Sequence, residues 1–414
     1  MPGNLPDDPR SMSFQSSDLS GSSSVDDPPN ETIRRLRSSD SSGASISMND
    51  LRFLKKLGNG DIGSVYLAEL KVEGKGWVVA AKVMDKKELE GRNKDGRAKT
   101  EKEILQLLDH PFLPRLYGCV ENDMFSCLLT EFCPGGDLHV LRQLQPAKRF
   151  LEPAVRFYAA ELVAALEYIH MLGIVYRDLK PENVLIGSDG HIMLTDFDLC
   201  LKCELGVAYT PAHIITDQNP LITLRTRSSM SCMPSVSCFN SKRARKKRAR
   251  PRAPELEFVA EPIDLRSMSF VGTHEYLAPE IVSGDGHGST VDWWTLGILI
   301  YELLYGFTPF KGTEHDLTLT NIVARALEFP KEPFVSTSLK ELIAGLLAKD
   351  PAKRLGSTMG ATAMKRHPFF SSVNWALLRC ATPPHVPPPF SATISPSDDV
   401  LDDNDDDDHP VDYY

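Results

Sequence analysis

Two short stretches decide how this chain is read: Tyr176-Arg177-Asp178-Leu179-Lys180-Pro181-Glu182-Asn183 and, further on, Asp196-Phe197-Asp198. An Asp, a Lys two residues on and an Asn five residues on can face one point from a single tight loop. A carboxylate there can orient an attacking hydroxyl, a lysine can meet a phosphoryl group in transfer, and an amide oxygen can hold a metal ion. The first stretch therefore predicts a phosphoryl-transfer site.

The second stretch brings another carboxylate on its own turn, and Asp196 is expected to be the main metal ligand. The run His191–Thr195 between the two stretches reads as a strand, as it must if a hairpin delivers Asn183 and Asp196 to one metal ion. A polar turn that only looks catalytic is the alternative. Eight ordered positions rarely coincide by chance, which favours the catalytic interpretation.

Together the two stretches resemble the catalytic loop and the metal-binding turn of protein kinases. Tyr176 before the arginine, and Asp198 where most kinases carry glycine, narrow the resemblance to plant members of the AGC kinase group, the relatives of PINOID. The resemblance implies that Asp178 and Lys180 are catalytic. It also implies ATP as phosphoryl donor, with Mg²⁺ held by Asn183 and Asp196.

A glycine-rich turn lies near the start of the apolar pattern. Gly58, Gly60 and Gly63 allow backbone N–H groups to approach phosphate oxygens without interference from a Cβ atom. A dinucleotide-binding turn has similar glycines but opens a helix, whereas the alternation after Gly63 continues as a strand. We therefore expect a hairpin flap over the phosphates. Its nucleotide-binding positions are Leu57, Gly58, Asn59, Gly60, Asp61, Gly63 and Val65.

Lys82 lies inside the apolar run Val78–Met84. An edge-strand lysine that reaches solvent is one explanation. The other is a contact with the α- and β-phosphates, which requires a carboxylate partner. Glu101 is the candidate, because it lies one turn before Leu105 on the inward side of a helical pattern over residues 98–108.

The family resemblance extends to the hinge that follows the next buried strand. It implies that the backbone of Glu131 and Cys133 holds the adenine and that Asp137 reaches the ribose. Cys133 begins a Pro- and Gly-rich turn, which marks a break between two lobes. These assignments rest on the resemblance, because an ordinary hinge explains the glycines equally well.

Further positions follow from the same resemblance. Glu280, in the true Ala278-Pro279-Glu280 motif, is expected to form a structural ion pair with Arg354, and a buried Asp292 is expected to brace the catalytic loop. Activation by phosphate is expected at Ser269, with Ser267 as a second candidate, and Arg177 as the partner. The acidic side chains expected to bind basic substrate residues are Asp137, Glu182 and Glu302.

The predicted fold class is α+β, a two-lobed kinase fold with a small lobe built on a five-stranded antiparallel β-sheet and a larger, mainly helical lobe. The predicted order is a disordered Ser/Asp/Pro-rich segment (1–48), a kinase domain (51–370) and a C-terminal extension with an acidic tail (371–414). Within the kinase domain we expect a small lobe (about 51–132) and a large lobe (about 137–370). The large lobe contains a basic disordered insertion (about 201–264).

Bulk properties limit the alternatives. The chain has 414 residues, 42% of them hydrophobic, and a net charge of -10, so the whole molecule is not a nucleic-acid binder by electrostatics. It contains no run of 18 apolar residues and no apolar signal-peptide core near its start. Eight cysteines without a dense framework fit a reducing compartment. These features predict a cytoplasmic protein.

We therefore expect a serine/threonine protein kinase. A pseudokinase scaffold is the rival, supported by Asp198 in place of glycine. A third class is nucleic-acid binding through residues 242–252, where eight of eleven residues are basic but no aromatic is interleaved. The same basic run is also suited to bind an anionic membrane surface or to act as a nuclear import signal.

Partners are expected from the resemblance alone. Protein substrates are implied, with auxin efflux carriers of the plasma membrane as one guess, and so is an upstream phosphoinositide-dependent kinase. Related kinases end in an aromatic tail that docks on a small lobe, but Val411 replaces the first aromatic here and leaves docking of Val411–Tyr414 open.

Overall fold

The computed structural model describes residues 46–72, 75–203, 213–215, 257–259 and 265–390. The predicted disorder of residues 1–48 thus falls almost wholly outside the described residues. The basic run 242–252, the acidic tail and Val411–Tyr414 lie outside them as well.

The small lobe is a five-stranded antiparallel sheet in the order β1-β2-β3-β5-β4. Its strands are β1 (Leu51–Asn59), β2 (Ser64–Val72), β3 (Lys75–Asp85), β4 (Leu116–Glu121) and β5 (Phe125–Thr130). Alternation of apolar residues along β3 buries Val79, Ala81 and Val83 against one face of the sheet. The α+β fold class and the five-stranded small lobe predicted from the sequence are confirmed.

Two helices cover the small lobe, α1 (Lys86–Gly91) and α2 (Asp95–Leu105). Asp85 begins α1 as an N-cap, because its side chain accepts hydrogen bonds from the backbone N–H groups of Lys87 and Glu88. Helix α2 buries Glu101, Ile104 and Leu105. The sequence predicted this helix over residues 98–108, so both of its observed ends lie three residues earlier in the chain. Shifts of this size are common when helix ends are predicted from sequence.

The large lobe is mainly helical. Its helices are α3 (Leu138–Gln143), α4 (Glu152–Met171), α5 (Pro279–Val282), α6 (Thr290–Tyr305), α7 (His315–Ala324), α8 (Thr337–Leu346) and α9 (Ala361–Lys365). Helix α6 is central, since every residue from Val291 to Tyr305 is buried, and Gly306 ends it in a left-handed conformation (φ 83°). Among the described helices, none has the length and apolar character needed to cross a membrane.

Short antiparallel hairpins carry the functional loops. Strand β6 (Ile174–Val175) pairs with β9 (Leu201–Lys202), and β7 (Val184–Ile186) pairs with β8 (Ile192–Leu194). Asn183 therefore lies directly before β7, and Asp196 follows β8 after one intervening residue. The β7–β8 hairpin is the one that the two sequence stretches required.

Part of the insertion 201–264, predicted to be disordered, is strand. Besides β9, strand β10 (His213–Ile215) pairs antiparallel with β11 (Glu257–Val259). Both short strands are rich in β-branched or aromatic residues, which favour extended backbone. Leu201 and Lys202, at the predicted start of the insertion, still belong to a ladder of the large lobe.

Candidate active site

Lys82 on strand β3 joins the two lobes through two carboxylates. Its Nζ donates hydrogen bonds to Glu101 Oε1 and to Asp196 Oδ1, each at 2.8 Å. Strand β3 holds the lysine beside the flap because Lys82 is paired with Val65 of β2 in the sheet register. The side chain is 13% exposed, so Lys82 is not an edge-strand lysine directed to solvent.

The charges in this cluster stabilise one another. Burial opposes the positive charge on Lys82, but the carboxylates of Asp196, Glu101 and Asp198 outweigh burial and raise its pKa. Burial also opposes the charge on Asp196, but Lys82 lowers the pKa of that carboxyl below its usual value. Lys82 and Asp196 are therefore an ion pair at neutral pH.

The catalytic loop gathers Asp178, Lys180 and Asn183 around one carboxylate. Lys180 Nζ lies 3.1 Å from Asp178 Oδ2, and Asn183 Nδ2 donates to Asp178 Oδ2 at 2.9 Å and to its backbone oxygen at 2.8 Å. Burial raises the pKa of Asp178, although Lys180 opposes the change. The three residues that the first stretch predicted thus face one point.

Thr273 is a member of this cluster that the sequence analysis missed. Its Oγ1 donates to Asp178 Oδ1 at 3.2 Å and accepts from Lys180 Nζ at 3.1 Å. The only sequence signal was its position a few residues before the Ala278-Pro279-Glu280 motif. The hydroxyl shows that a side chain with O–H can sit within reach of the Asp178 carboxylate.

Asp292 on α6 supports the loop from below. It is fully buried and accepts hydrogen bonds from the backbone N–H groups of Tyr176 (2.8 Å) and Arg177 (2.7 Å), while His170 Nε2 lies 2.8 Å from its Oδ2. Arg177 has a left-handed backbone (φ 72°), which is unfavourable for a residue with a Cβ atom. Two charge-assisted hydrogen bonds to Asp292 hold the loop in that conformation.

The metal-binding turn is fixed by its aromatic neighbours. Asp196 has a left-handed backbone (φ 60°), and the Tyr176 hydroxyl donates to the carbonyl of Thr195 just before it. The rings of Tyr176 and Phe197 lie edge to face, 5.5 Å apart. Tyr176 therefore links the catalytic loop to the turn.

Asp198 is buried and has a cation next to it. Burial and the neighbouring Asp196 carboxylate raise the pKa of Asp198 to about 7. Arg97 Nη2 lies 3.0 Å from Asp198 Oδ2, as an ion pair that is not aligned as a hydrogen bond. Arg97 on α2 had no role in the sequence analysis, because its partner is 101 positions away in the sequence.

The glycines of the flap differ in what requires them. A Cβ atom at Gly63 would lie 2.4 Å from the carbonyl oxygen of Val83, so strand packing excludes any side chain there. At Gly58 nothing lies within 4 Å, and at Gly60 the nearest atom is 3.5 Å away. Gly58 and Gly60 thus face open space, where a phosphate group can approach the backbone.

Other flap positions are arranged around the turn. Leu57 is exposed, Asn59 Oδ1 accepts a hydrogen bond from the Ser64 hydroxyl at 2.9 Å, and Val65 lies opposite Lys82. The carboxylate of Asp61 pairs with Arg92, Lys94 and Arg97. Asp61 thus has an ion-pair role through its side chain, and its place among the nucleotide-binding positions of the flap stays a prediction.

The hinge residues between the lobes are held by backbone hydrogen bonds, a sulfur contact and a helix cap. The Glu131 N–H donates to the carbonyl of Arg115 at 3.3 Å, and buried Cys133 contacts the Met193 sulfur at 3.5 Å. One oxygen of Asp137 accepts from the N–H of Val140 at 2.8 Å and caps α3. The hinge thus lies against strand β8, beneath the small lobe.

Two glutamates expected to bind substrate have different surroundings. Glu302 is buried, and its oxygens pair with Arg142 Nη2 (2.8 Å) and with the Tyr276 hydroxyl (2.5 Å). Glu302 therefore has a structural role in this network, and its contact with substrate stays a prediction. Glu182 has a side chain that is 49% exposed and lies 3.0 Å from His139 Nδ1, so it can be reached from solvent.

Glu280 and Arg354 form a bidentate ion pair in the interior. The two N–H···O distances are 2.6 and 2.8 Å, and Arg354 also donates to the backbone oxygens of Thr290 and Ala348. The pair ties α5 to the segment after α8. It has the geometry of a structural ion pair.

Ser267 and Ser269 meet Arg177 at the edge of the site. Arg177 Nη1 donates to Ser269 Oγ at 2.8 Å and to Ser267 Oγ at 3.2 Å, and the two hydroxyls are 2.8 Å apart. Ser269 is exposed, whereas Ser267 is half-buried and its backbone pairs with His287. A cation next to the catalytic loop thus already touches both hydroxyls.

The donor set fits Mg²⁺ only together with a nucleotide. Within the described residues, no group of three or more His, Cys, Asp or Glu side chains is arranged to hold a metal ion. Asn183 uses its amide nitrogen on Asp178, which leaves its oxygen side for a cation, and Asp196 is 28% exposed. Mg²⁺ commonly binds one or two such oxygens and takes the rest from phosphates and water.

Comparisons with known proteins agree with this geometry. The family description "Protein kinase domain" matches residues 51–217 and 258–370. The chain is 55% identical to serine/threonine-protein kinase AGC1-5 of Arabidopsis thaliana over 356 residues, 53% to protein kinase PVPK-1 of Phaseolus vulgaris over 384, and 52% to a protein kinase of Oryza sativa over 395. These alignments cover 84%, 86% and 89% of this chain, but the chain spans only 61%, 61% and 66% of the respective relatives.

Proposed function

The chain belongs to the protein kinase family, and we propose that it transfers the γ-phosphoryl group of ATP to serine or threonine hydroxyls of proteins. One observation carries the proposal: the Lys82 ion pairs with Glu101 and Asp196 coexist with the cluster of Asp178, Lys180 and Asn183. Packing alone does not require a charged residue at position 82 or at position 178. The acceptor class follows from AGC1-5, whose name is serine/threonine-protein kinase.

The chemistry divides among these residues. Asp178 orients the substrate hydroxyl and accepts its proton while the new oxygen–phosphorus bond forms and the bond to ADP breaks. Lys180, 3.1 Å from Asp178, faces the charge on the transferred group, and Lys82 holds the remaining phosphates. Asn183 and Asp196 would hold Mg²⁺, which neutralises phosphate charge when bound. Most of the rate arises from positioning and electrostatics.

The experiment is transfer from labelled ATP to a generic basic protein, followed by identification of the modified amino acid. The expected result is Mg²⁺-dependent label on serine or threonine. Binding of ATP without transfer would instead support a pseudokinase scaffold, with Asp198 as the disabling residue. Label only on tyrosine would contradict the acceptor class.

The proposal extends to substrates with Arg or Lys near the acceptor. Glu182 supports it, since its carboxylate is half-exposed within the catalytic loop, and Asp137 of the hinge is bridged to Leu185, three residues after Glu182. A peptide array should favour basic flanks, and Glu182→Gln should weaken that preference while Glu332→Gln, at an exposed distant site, should not. Preference for acidic flanks would contradict the proposal. Auxin efflux carriers are one substrate class to include.

Activation by a phosphate on Ser269 is part of the same proposal, and an upstream phosphoinositide-dependent kinase is the candidate donor. The contacts of Arg177 with Ser269 and Ser267 support it, because a phosphate adds close to two negative charges to a hydroxyl already beside a cation. Ser269→Ala should lower activity several-fold, whereas the neighbouring exposed Ser283→Ala should not. Full activity of Ser269→Ala, with no phosphate at Ser267, would remove this step.

The location proposed is the cytoplasm with reversible membrane contact through residues 242–252. Eight cations attract an anionic surface at about 1 kcal/mol each. Sedimentation with phosphatidylserine vesicles should fall as salt rises and be lost when Lys246, Lys247 and Arg248 become Ala. Binding that does not depend on salt would contradict the membrane interpretation; absent binding with nuclear accumulation would support nuclear import instead.

A further inference from the structure

Arg97 contacts two carboxylates that the proposed reaction does not use. From helix α2, its Nη1 pairs with Asp61 Oδ2 on the flap, and its Nη2 lies 3.0 Å from Asp198 Oδ2 on the metal-binding turn. The flap, the helix and the turn come from three separate parts of the chain. One guanidinium therefore connects all three.

A second connection runs parallel to the first. Glu101 lies four residues after Arg97 on the same face of α2 and reaches Asp196 through Lys82. Helix α2 is thus tied to both carboxylates of the turn, through Lys82 to Asp196 and through Arg97 to Asp198. Loss of Arg97 would leave the Lys82 connection, which also has to hold phosphates, and one long hydrogen bond (3.5 Å) from the Phe197 N–H to Glu101.

The position of the flap supports the same interpretation. Ile62, next to Asp61 at the flap tip, is buried in the main core together with Met84, Leu89 and Ile104. Asp61 is also paired with Arg92 at 2.9 Å and with Lys94. The flap tip is thus held against α1 and α2 by an apolar contact and by ion pairs.

Both carboxylates would harm ATP binding if they were not compensated. Asp61 stands on a loop that covers phosphates, and Asp198 is buried two residues from Asp196. Uncompensated negative charges at these places would repel the nucleotide and each other. Among the described ion pairs, Arg97 is the cation that contacts both carboxylates, so the unusual Asp198 and the acidic flap are linked features.

We propose that Arg97 is a positioning residue: with Asp61 and Asp198 it forms a clasp that fixes the flap and helix α2 relative to the metal-binding turn and thereby sets how tightly ATP is held. The clasp rests on the proposed kinase function for its kinetic consequence, but its effect on nucleotide affinity does not require turnover. It accounts for an aspartate at position 198 in a chain whose other reactive groups are in place.

The first experiment compares Arg97→Ala, Arg97→Lys and a control, Lys99→Ala, in the full chain. Lys99 is exposed on the same helix and has no ion pair within the described residues. Arg97→Ala should weaken ATP·Mg binding and raise KM for ATP on the order of tenfold, as expected for coupled contacting charges, with a smaller change in kcat. Arg97→Lys should restore part of the affinity, and Lys99→Ala should match the wild type.

The second experiment tests whether the three residues act together. Asp61→Asn with Asp198→Gly removes both partners of Arg97, so adding Arg97→Ala to that double variant should change ATP affinity less than about twofold. The same tenfold loss in both backgrounds would overturn the clasp. Should Arg97→Ala fail to fold, Arg97→Lys and Asp61→Asn provide the same comparison.

Binding and transfer are measured separately so that the two proposals can fail separately. ATP·Mg affinity is read from the fluorescence of a nucleotide analogue, and transfer from labelled product. Unchanged affinity in Arg97→Ala overturns the clasp alone. A wild-type chain that binds ATP but transfers nothing overturns the proposed function alone, while a loss of affinity in Arg97→Ala still supports the clasp.

Discussion

Two buried charge clusters of this protein are built differently. Glu280 and Arg354 have side chains that are 3% and 0% exposed, and the two form a closed bidentate pair. Lys82 is instead shared between Glu101 and Asp196, and its side chain is 13% exposed. The second carboxylate oxygen of Glu101, Oε2, has no hydrogen-bond partner among the described residues.

The difference separates a structural cluster from a reactive one. In the Glu280–Arg354 pair, four hydrogen bonds engage the arginine and both side chains are buried, so a ligand from solvent cannot reach the charges. In the Lys82 cluster, one cation serves two carboxylates across the lobe boundary, and a phosphate can compete for it. Incomplete pairing of buried charge is expected at sites that must accept a charged substrate.

The largest effect should come from Lys82→Met. Transfer should fall by on the order of 10³-fold or more, because positioning and electrostatics supply most of the rate. The unfolding midpoint should also fall, because buried Glu101 and Asp196 lose their shared cation, so transfer is compared at a temperature where both proteins are folded. Activity with ATP and thermal unfolding of the same sample are the measurements.

The matched control is Lys71→Met, an exposed lysine on the neighbouring strand β2. It should retain transfer. If Lys82→Met kept near wild-type transfer, or if both variants lost it equally, the reactive role of the Lys82 cluster would be wrong.

Arg354→Met should lose stability but keep transfer. It leaves Glu280 as an isolated buried charge, which costs about 3–5 kcal/mol of folding free energy. Chemical denaturation should show this loss, and any remaining folded protein should transfer phosphate at nearly the wild-type rate. A stable Arg354→Met protein with defective transfer would mean that this pair is reactive rather than structural.

A smaller contrast separates two glycines of the flap. Gly63→Ala places a Cβ atom 2.4 Å from the Val83 carbonyl oxygen and should destabilise the small lobe by about 1–3 kcal/mol through overpacking. Gly60→Ala meets its nearest atom at 3.5 Å, so its unfolding midpoint should be unchanged while KM for ATP rises. Equal unfolding midpoints for the two variants would contradict the distinction.

The sequence was sufficient to predict which side chains form the candidate active site and in what order they occur, because the catalytic loop and the metal-binding turn are short local motifs. Asp178, Lys180 and Asn183 needed only one tight loop to meet, and the alternation along β3 pointed to Lys82 as an exception. The five-stranded sheet followed from the same alternation and from the family resemblance. Local spacing carries this kind of information well.

Tertiary pairing was beyond the reach of local spacing. Arg97 and Thr273 meet the site from 101 and 95 positions away from Asp198 and Asp178, and no periodicity reports such contacts. The burial of Glu302 could not be predicted either, because a resemblance gives a position but not its surroundings. Its neighbours Arg142 and Tyr276 already take both of its oxygens.

The proposed transfer depends most directly on Asp178 as proton acceptor, and single-turnover transfer by Asp178→Asn tests this role. The asparagine keeps the shape and the hydrogen-bonding oxygen but loses the basic carboxylate. Asp285→Asn, at an exposed distant aspartate, is the control. We predict that ATP·Mg affinity and unfolding stay at wild-type values in both variants, while transfer falls at least 10²-fold in Asp178→Asn only, about the low end of general-base contributions. Transfer by Asp178→Asn within a few-fold of Asp285→Asn would contradict the catalytic assignment.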